Sequence, residues 1–128
     1  MNNYYINKIS KLSFEDIVGK LPGLLKEEWF GILTEIDVKD TLKKKLDIDF
    51  RKYKILGVCN PPFAYKALTI EDKIWLLLPC NIIVQEVSNG TEIAIIDPIK
   101  SLSRVDNQDL VIVATEIKNK FENILENL

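Results

Sequence analysis

Two segments repeat apolar residues at the spacing of an amphipathic helix. The stripe of the last segment, which begins near Asp106 or Asn107, consists of Leu110, Val113, Ala114, Ile117, Phe121, Ile124 and Leu128. The stripe of the first segment, for which Ser13 is a good N-cap, consists of Phe14, Ile17, Val18, Leu21 and Leu25. Pro22 and Gly23 interrupt this first pattern and predict a kink or a restart there. Both stripes predict helices packed on a sheet.

Short runs rich in β-branched and aromatic residues predict the strands. These runs are residues 4–9, 29–36, 53–59, 74–87 and 92–96. Pro79 lies within the long fourth run, where it predicts a bend or bulge. Residues 88–91 join the last two runs as a hairpin, in which Asn89 and Gly90 suit the two positive-φ positions of a type I′ turn.

Capping residues predict further short helices between the strands. Asp37 caps a charged helix through about Leu46. Asn60, followed by two prolines, caps a helix that ends before Asp72. This helix directs four side chains inward, namely Phe63, Ala64, Ala67 and Leu68. After Asp97 and Pro98 the pattern predicts a polar loop. The elements together predict a single α+β domain over residues 1–128, with helices backing a sheet.

Composition narrows the class of protein. A chain of 128 residues with 47% hydrophobic side chains is long enough to bury one core. The net charge of −2 gives no field suited to a phosphate backbone, so we expect no nucleic-acid partner. The longest apolar run, residues 74–78, is too short to span a bilayer, and the N-terminus lacks a secretory pattern. We therefore expect a cytoplasmic protein with no membrane partner.

Two cysteines and the absence of histidine limit the chemistry. In a reducing compartment Cys59 and Cys80 are expected to be free thiols. Without histidine the chain has no Ser-His-Asp or Cys-His site and no imidazole ligand for zinc. The five glycines form no phosphate-binding motif, so no nucleotide or other cofactor is expected.

Cys59 is the sharpest chemical candidate. It ends a predicted strand beside a predicted helix N-terminus, whose dipole favours a thiolate. The alternative is that Cys59 packs as a small apolar residue. Cys80 follows Pro79 in an apolar run, where burial makes a thiol inert. If the two strands are neighbours, the pair suits a reversible disulfide or a soft metal. A metal would also need Glu86 or Asp97, and no metal site is expected.

Two carboxylates at alternate positions offer a different chemistry. Glu35 and Asp37 point to the same side of a strand, and such a pair can do acid–base work. The alternative is that these side chains cap a helix or line a solvated edge. Asp37 is already predicted to be the N-cap of the charged helix that follows it.

Three stretches together resemble a known family. They are residues 31–37, then Cys59-Asn60-Pro61-Pro62 with Ala64 and Leu68, then residues 77–81 followed by Asp97-Pro98. Their order resembles the domain of unknown function 302 family, and the resemblance covers nearly the whole chain. Trp29 and Trp75 depart from the pattern, and their bulk would fill or narrow a pocket near the sheet.

The resemblance implies a fold but no activity. It implies a two-layer α+β sandwich, an antiparallel sheet of about five strands backed by helices. This architecture is TATA-binding-protein-like, β-α-β(4)-α, with extra short helices, and often forms a dimer. The positions that match the family come without assigned roles.

These observations leave three functional hypotheses. The first is a small-ligand-binding or sensing module, acting as a homodimer. Its ligand-binding residues are Cys59, Asn60, Pro61, Cys80 and Asp97. The second is a thiol-dependent enzyme or redox protein with Cys59 as nucleophile and Cys80 as resolving thiol. The third is an assembly subunit with the apolar sheet edge or the last helix in its interface.

Overall fold

The computed structural model describes residues 3–128, which form five strands, five α-helices and one 3₁₀ turn. The strands are β1 (Tyr5–Ser10), β2 (Gly31–Asp37), β3 (Tyr53–Cys59), β4 (Cys80–Val87) and β5 (Gly90–Ile96). The helices are α1 (Phe14–Glu27), α2 (Val38–Leu46), α3 (Pro61–Ile70), α4 (Pro98–Leu102) and α5 (Gln108–Glu126). The 3₁₀ turn spans Ile74–Leu76 and lies between α3 and β4.

All five strands form one antiparallel sheet in the order β1-β5-β4-β3-β2. The register places Val58 of β3 opposite Cys80 of β4 and Leu56 opposite Ile82. The order of the larger elements is β-α-β(4)-α, with short helices in the connections. The prediction of an α+β fold with a five-stranded antiparallel sheet is therefore confirmed.

The main core lies between one face of the sheet and helices α1 and α5. The sheet contributes alternate residues of its central strands, namely Leu56, Val58, Ile82, Val84, Ile93 and Ile95. The helices contribute most of the predicted stripes, and the rings of Phe30 and Phe121 stack with centroids 4.9 Å apart. Leu110 and Ala114 of α5 instead join a second, smaller cluster with Ala67, Ile74 and Leu102. Each fully buried aliphatic or aromatic side chain contributes about 1.5–3 kcal/mol, so this layer is the main source of stability.

The predicted caps hold the starts of three helices. Ser13 accepts a hydrogen bond from the Asp16 N–H at 3.1 Å, and Asn107 accepts one from the Asp109 N–H at 2.9 Å. Asp37 caps α2 in the same way. The helix α1 runs unbroken through Pro22, so it does not restart there. The burial of its apolar stripe outweighs the local propensity against a helix.

Three predicted boundaries or contacts are wrong. The fourth strand begins at Cys80, because residues 74–76 form the 3₁₀ turn and Pro79 follows a cis peptide bond. The polar loop expected after Asp97 is the helix α4, which Asp97 itself caps. Leu68 is exposed rather than turned inward, since α3 buries only Ala67 among its residues.

The hairpin is placed correctly, but its turn type is wrong. Val87 pairs with Gly90, which leaves residues 88–89 as the loop. Within residues 3–128, positive φ angles occur only at Trp29, Asp47 and Gly90. Asn89 therefore does not adopt the conformation of a type I′ turn. Within the hairpin, Gly90 is the one described residue with a positive φ angle, which is +145°.

Among residues 3–128, none of the helices combines the length and the hydropathy that a membrane span requires.

Candidate functional site

A pocket of about 30 Å³ lies where β3 ends and β4 begins. Antiparallel pairing brings these two strand ends together, and α3 starts directly after β3 while α4 starts directly after β5. Apolar side chains dominate its wall, which consists of Phe30, Val58, Cys59, Asn60, Phe63, Ala64, Ala67, Leu78, Pro79, Cys80, Pro98, Leu102, Val113 and Ile117. We call this space the apolar pocket.

Cys59 and Cys80 both line the apolar pocket, because their strands β3 and β4 are neighbours in the sheet. Both are free thiols. Burial raises the pKa of Cys59, which is contrary to the effect expected from the α3 N-terminus. Burial, and to a lesser degree a thiolate at Cys59, raises the pKa of Cys80 to about 12. Both sulfurs are therefore protonated at neutral pH, where a nucleophile would need a thiolate.

The raised pKa of Cys80 predicts a loss of stability in alkali. Below pH 9 the thiol is protonated in both the folded and the unfolded chain. Above pH 9 the unfolded thiol ionises first, because the folded pKa is raised from 9.0 to about 12. This contribution to stability is therefore lost as the pH rises from about 9 towards 12. Urea unfolding at several pH values measures the effect.

The control for this prediction is Cys80→Ala, in which the Cys80 thiol is absent. The difference in unfolding free energy between wild type and Cys80→Ala should stay constant below pH 8 and shrink as the pH rises above 9. Cys80 should also resist alkylation of the native protein at pH 8. A difference that does not change between pH 8 and 11, or rapid native alkylation of Cys80, would contradict the burial of this thiol.

Asn60 lines the same pocket, but its side-chain amide already has hydrogen-bond partners within the protein. The side chain is 4% exposed. Its Nδ2 donates to the Glu28 carbonyl at 3.1 Å, and its Oδ1 accepts from the Phe63 N–H at 3.5 Å. Asn60 thus caps α3, as predicted, and joins that helix to the end of α1. Its main effect on the pocket is to position α3.

Pro61 and Asp97 lie outside the apolar pocket. Pro61 is the first residue of α3 and lines a surface groove beside Trp29. Asp97 is buried, and its Oδ1 accepts from the Ile99 and Lys100 N–H groups. Its Oδ2 pairs with Lys118 Nζ at 2.9 Å. The structure thus brings three of the five predicted site residues together, and Asp97 adjoins them only through Pro98.

The carboxylates Glu35 and Asp37 have structural roles, which was the alternative to acid–base chemistry. Glu35 pairs with Lys54 at 2.7 Å, and Asp37 caps α2. Neither lines the apolar pocket. Among residues 3–128, no group of three or more cysteine or carboxylate side chains is placed to hold a metal ion.

Comparison with known proteins places this arrangement in a family. The model of the domain of unknown function DUF302 matches residues 6–128. The chain belongs to the DUF302 family. One solved structure, described as an uncharacterized conserved DUF302 protein from Bacillus stearothermophilus, is similar at a TM-score of 0.90 and 25% sequence identity. The match covers 98% of each chain. A search of curated proteins finds no match.

Several residues that line the pocket of this DUF302 chain were not among the predicted site residues. Pro98 and Leu102 belong to α4, whose signal was present as an N-cap followed by proline at the first helical position. Val113 and Ile117 come from α5, and no local pattern tells which sheet end a distant helix covers. Trp29 and Trp75 do not line the pocket, and Trp29 is 73% exposed. These two tryptophan side chains therefore do not fill or narrow the apolar pocket.

Proposed function

We propose that this chain is a small-ligand-binding or sensing module that acts as a homodimer. The single observation that carries the proposal is the apolar pocket, which gathers Cys59, Asn60 and Cys80 at one end of the sheet. Binding sites in proteins are typically concave and mostly apolar, with few polar groups that orient the ligand. The pocket has this composition on a small scale.

The wall of the pocket specifies an uncharged ligand. No Lys, Arg, Asp or Glu side chain lines it, and both thiols are protonated at neutral pH. Asn60 uses its carbonyl and one amide hydrogen within the protein. An ion entering this space would lose its hydration without gaining a partner, at a cost of at least several kcal/mol. The pocket therefore favours a neutral, apolar molecule or group.

The size of the pocket limits the ligand further. A volume of about 30 Å³ has room for one or two water-sized groups. Two small residues of α3, Ala64 and Ala67, line it, so a larger side chain at either position would reduce the space. A larger apolar ligand would have to displace α3, which gives a sensing module a means to report binding.

Xenon is a suitable first probe, because it is small, neutral and apolar. We expect xenon under pressure to shift the methyl resonances of Val58, Val113 and Ile117 in the native protein. Acetate, a small anion, should leave them unchanged at the same concentration. Ala64→Leu fills the pocket from a partly exposed helix position and should abolish the xenon shifts.

The matched control is Tyr65→Leu, which places the same side chain at the next position, where the residue is 70% exposed. It should respond to xenon as the wild type does. Shifts that are absent in the wild type, or that persist unchanged in Ala64→Leu, would refute binding in the apolar pocket.

The thiol-dependent alternative has weaker support. Its favourable observation is that Cys59 and Cys80 share one pocket. The raised pKa values of both thiols oppose it, because thiol exchange proceeds through the thiolate. Alkylation of Cys59 in the native protein at pH 8 tests this alternative, which requires that Cys59 react rapidly.

A further inference from the structure

The face of the sheet opposite the main core presents apolar side chains to solvent. Residues paired across antiparallel strands share a face, so the register defines this surface. Its middle row runs across four strands through Ile36, Ile55, Ile83 and Ala94. Tyr5 and Ile96 extend it on one side, where they are paired. We call this surface the open sheet face.

No helix within residues 3–128 covers the centre of the open sheet face. The core-facing residues of β4 and β5 are fully buried under α1 and α5, whereas Ile83, Ala94 and Ile96 remain partly accessible. The helix α2 contacts β2 and β3, and it buries none of its own residues. Tyr4, Tyr5 and Tyr53 rim a shallow concavity over the central strands. A contiguous apolar surface of this kind marks an interaction site.

The charged groups of the open sheet face are few and balanced. Arg51 donates to Gln85 Oε1 at 2.9 Å, and Gln85 donates to Glu92 Oε1 at 2.7 Å. Asn7 donates to Glu92 Oε2 at 2.9 Å. One chain of hydrogen bonds thus contains one cation, Arg51, and one anion, Glu92. Both carboxylate oxygens of Glu92 accept hydrogen bonds in it. Two copies of this surface would meet without a net repulsive charge.

We infer that the open sheet face is the surface through which two copies of this chain associate, sheet against sheet. The inference rests on the proposed homodimer and specifies its interface. A two-fold interface uses the same patch on both subunits, so the patch must be complementary to itself. An apolar centre with a balanced polar row meets this requirement. Nucleic acid or an anionic membrane would instead require an excess of positive charge.

The available area suits a dimer of modest strength. Five strands spaced about 4.8 Å apart and about 20 Å long present roughly 500 Å². Two copies would then bury about 1,000 Å², which is the lower limit for a specific interface. We therefore expect reversible association that depends on concentration.

Sedimentation equilibrium of the native protein tests the inference. The weight-average mass should rise from 14.7 kDa towards twice that value as the concentration increases. Ala94→Glu places a charge at the centre of the face, where two-fold symmetry would oppose it with a copy of itself. Asn81→Arg does the same at a position that is already exposed and polar. Each variant should weaken association at least tenfold.

Ile112→Glu is the matched control, because Ile112 lies on the exposed side of α5 and is 53% exposed. It should associate as the wild type does. Circular dichroism identifies any variant that fails to fold. If Ala94→Glu fails to fold, Asn81→Arg still tests the inference. A wild type that stays monomeric up to about 1 mM, a concentration at which even weak specific complexes form, would overturn the inference. A dimer that persists in folded Asn81→Arg and Ala94→Glu would also overturn it.

The xenon measurement separates this inference from the ligand proposal. Asn81 points to the open sheet face, whereas Cys80 points to the core side. Monomeric Asn81→Arg should therefore keep the xenon response. If Asn81→Arg loses association and keeps the xenon response, both proposals are supported. If the wild type forms dimers but shows no xenon shifts, only the ligand proposal is refuted.

Discussion

Gly90→Ala is expected to lower the free energy of unfolding by about 3 kcal/mol or more, because two penalties act at one position. Gly90 has φ of +145°, which L-amino acids rarely adopt. A Cβ atom added there would also collide with the backbone carbonyl of Ser10, which cannot move aside as a flexible side-chain end would. Urea unfolding followed by circular dichroism measures the change.

Gly19→Ala is the matched control for the same substitution. Gly19 lies within α1, and a Cβ atom added there meets no atom within 4 Å apart from the neighbouring backbone of its own helix. Alanine is the better helix former by about 1 kcal/mol, so this variant should be slightly more stable than the wild type. If Gly90→Ala unfolds within about 0.5 kcal/mol of the wild type, the backbone geometry at the hairpin is different from that described.

The hairpin shows how far the sequence alone can be taken. The pattern of β-formers around Asn89 and Gly90 predicted where the chain reverses, because alternation and turn residues are local signals. The turn type depends on more than the turn residues. Thr91 is buried and its hydroxyl donates to the Leu12 carbonyl at 2.8 Å, and the added Cβ at Gly90 would meet Ser10. The hairpin therefore packs against the end of β1, 80 residues away in the chain, which no local pattern contains.

The same limit applies to the candidate site. Asn60 was predicted as a helix cap and Cys59 as a strand end, since both signals lie within a few residues. Their proximity to Cys80 depends on the order of the strands in the sheet, and that order could be stated from the sequence only as a condition. The reactivity expected for Cys59 followed from the helix N-terminus alone. Burial acts in the opposite direction and raises the pKa, and burial depends on α4 and α5.

Two distinct sites follow from this two-layer fold. The core-facing side of the sheet is covered by helices, and the apolar pocket is the space that they leave at one strand end. On the opposite side, no helix of residues 3–128 covers the centre, and this side carries the open sheet face. A ligand in the pocket and a second copy on the open sheet face would therefore contact opposite sides of β3 and β4. These two strands are the shortest physical connection between ligand binding and association.

Asp97→Ala is expected to lower the free energy of unfolding by about 3 kcal/mol. The lost cap of α4 accounts for about 1 kcal/mol. The lost charge-assisted bond to Lys118 accounts for about 1.5–3 kcal/mol. This expectation treats the carboxylate as structural, because both of its oxygens have partners and the side chain is 4% exposed. Thermal and urea unfolding measure the change.

Two further variants separate a structural Asp97 from a ligand-binding one. Asp97→Asn retains a carbonyl oxygen for the cap and loses only the charge, so it should cost about half as much as Asp97→Ala. Asp72→Ala removes an exposed carboxylate that pairs only with its exposed neighbour Lys73, and should change stability by less than about 0.5 kcal/mol. Because Asp97 reaches the apolar pocket only through Pro98, Asp97→Asn should leave the xenon response intact. Unchanged stability in Asp97→Ala together with a lost xenon response would instead place Asp97 in the binding site, as the sequence first predicted.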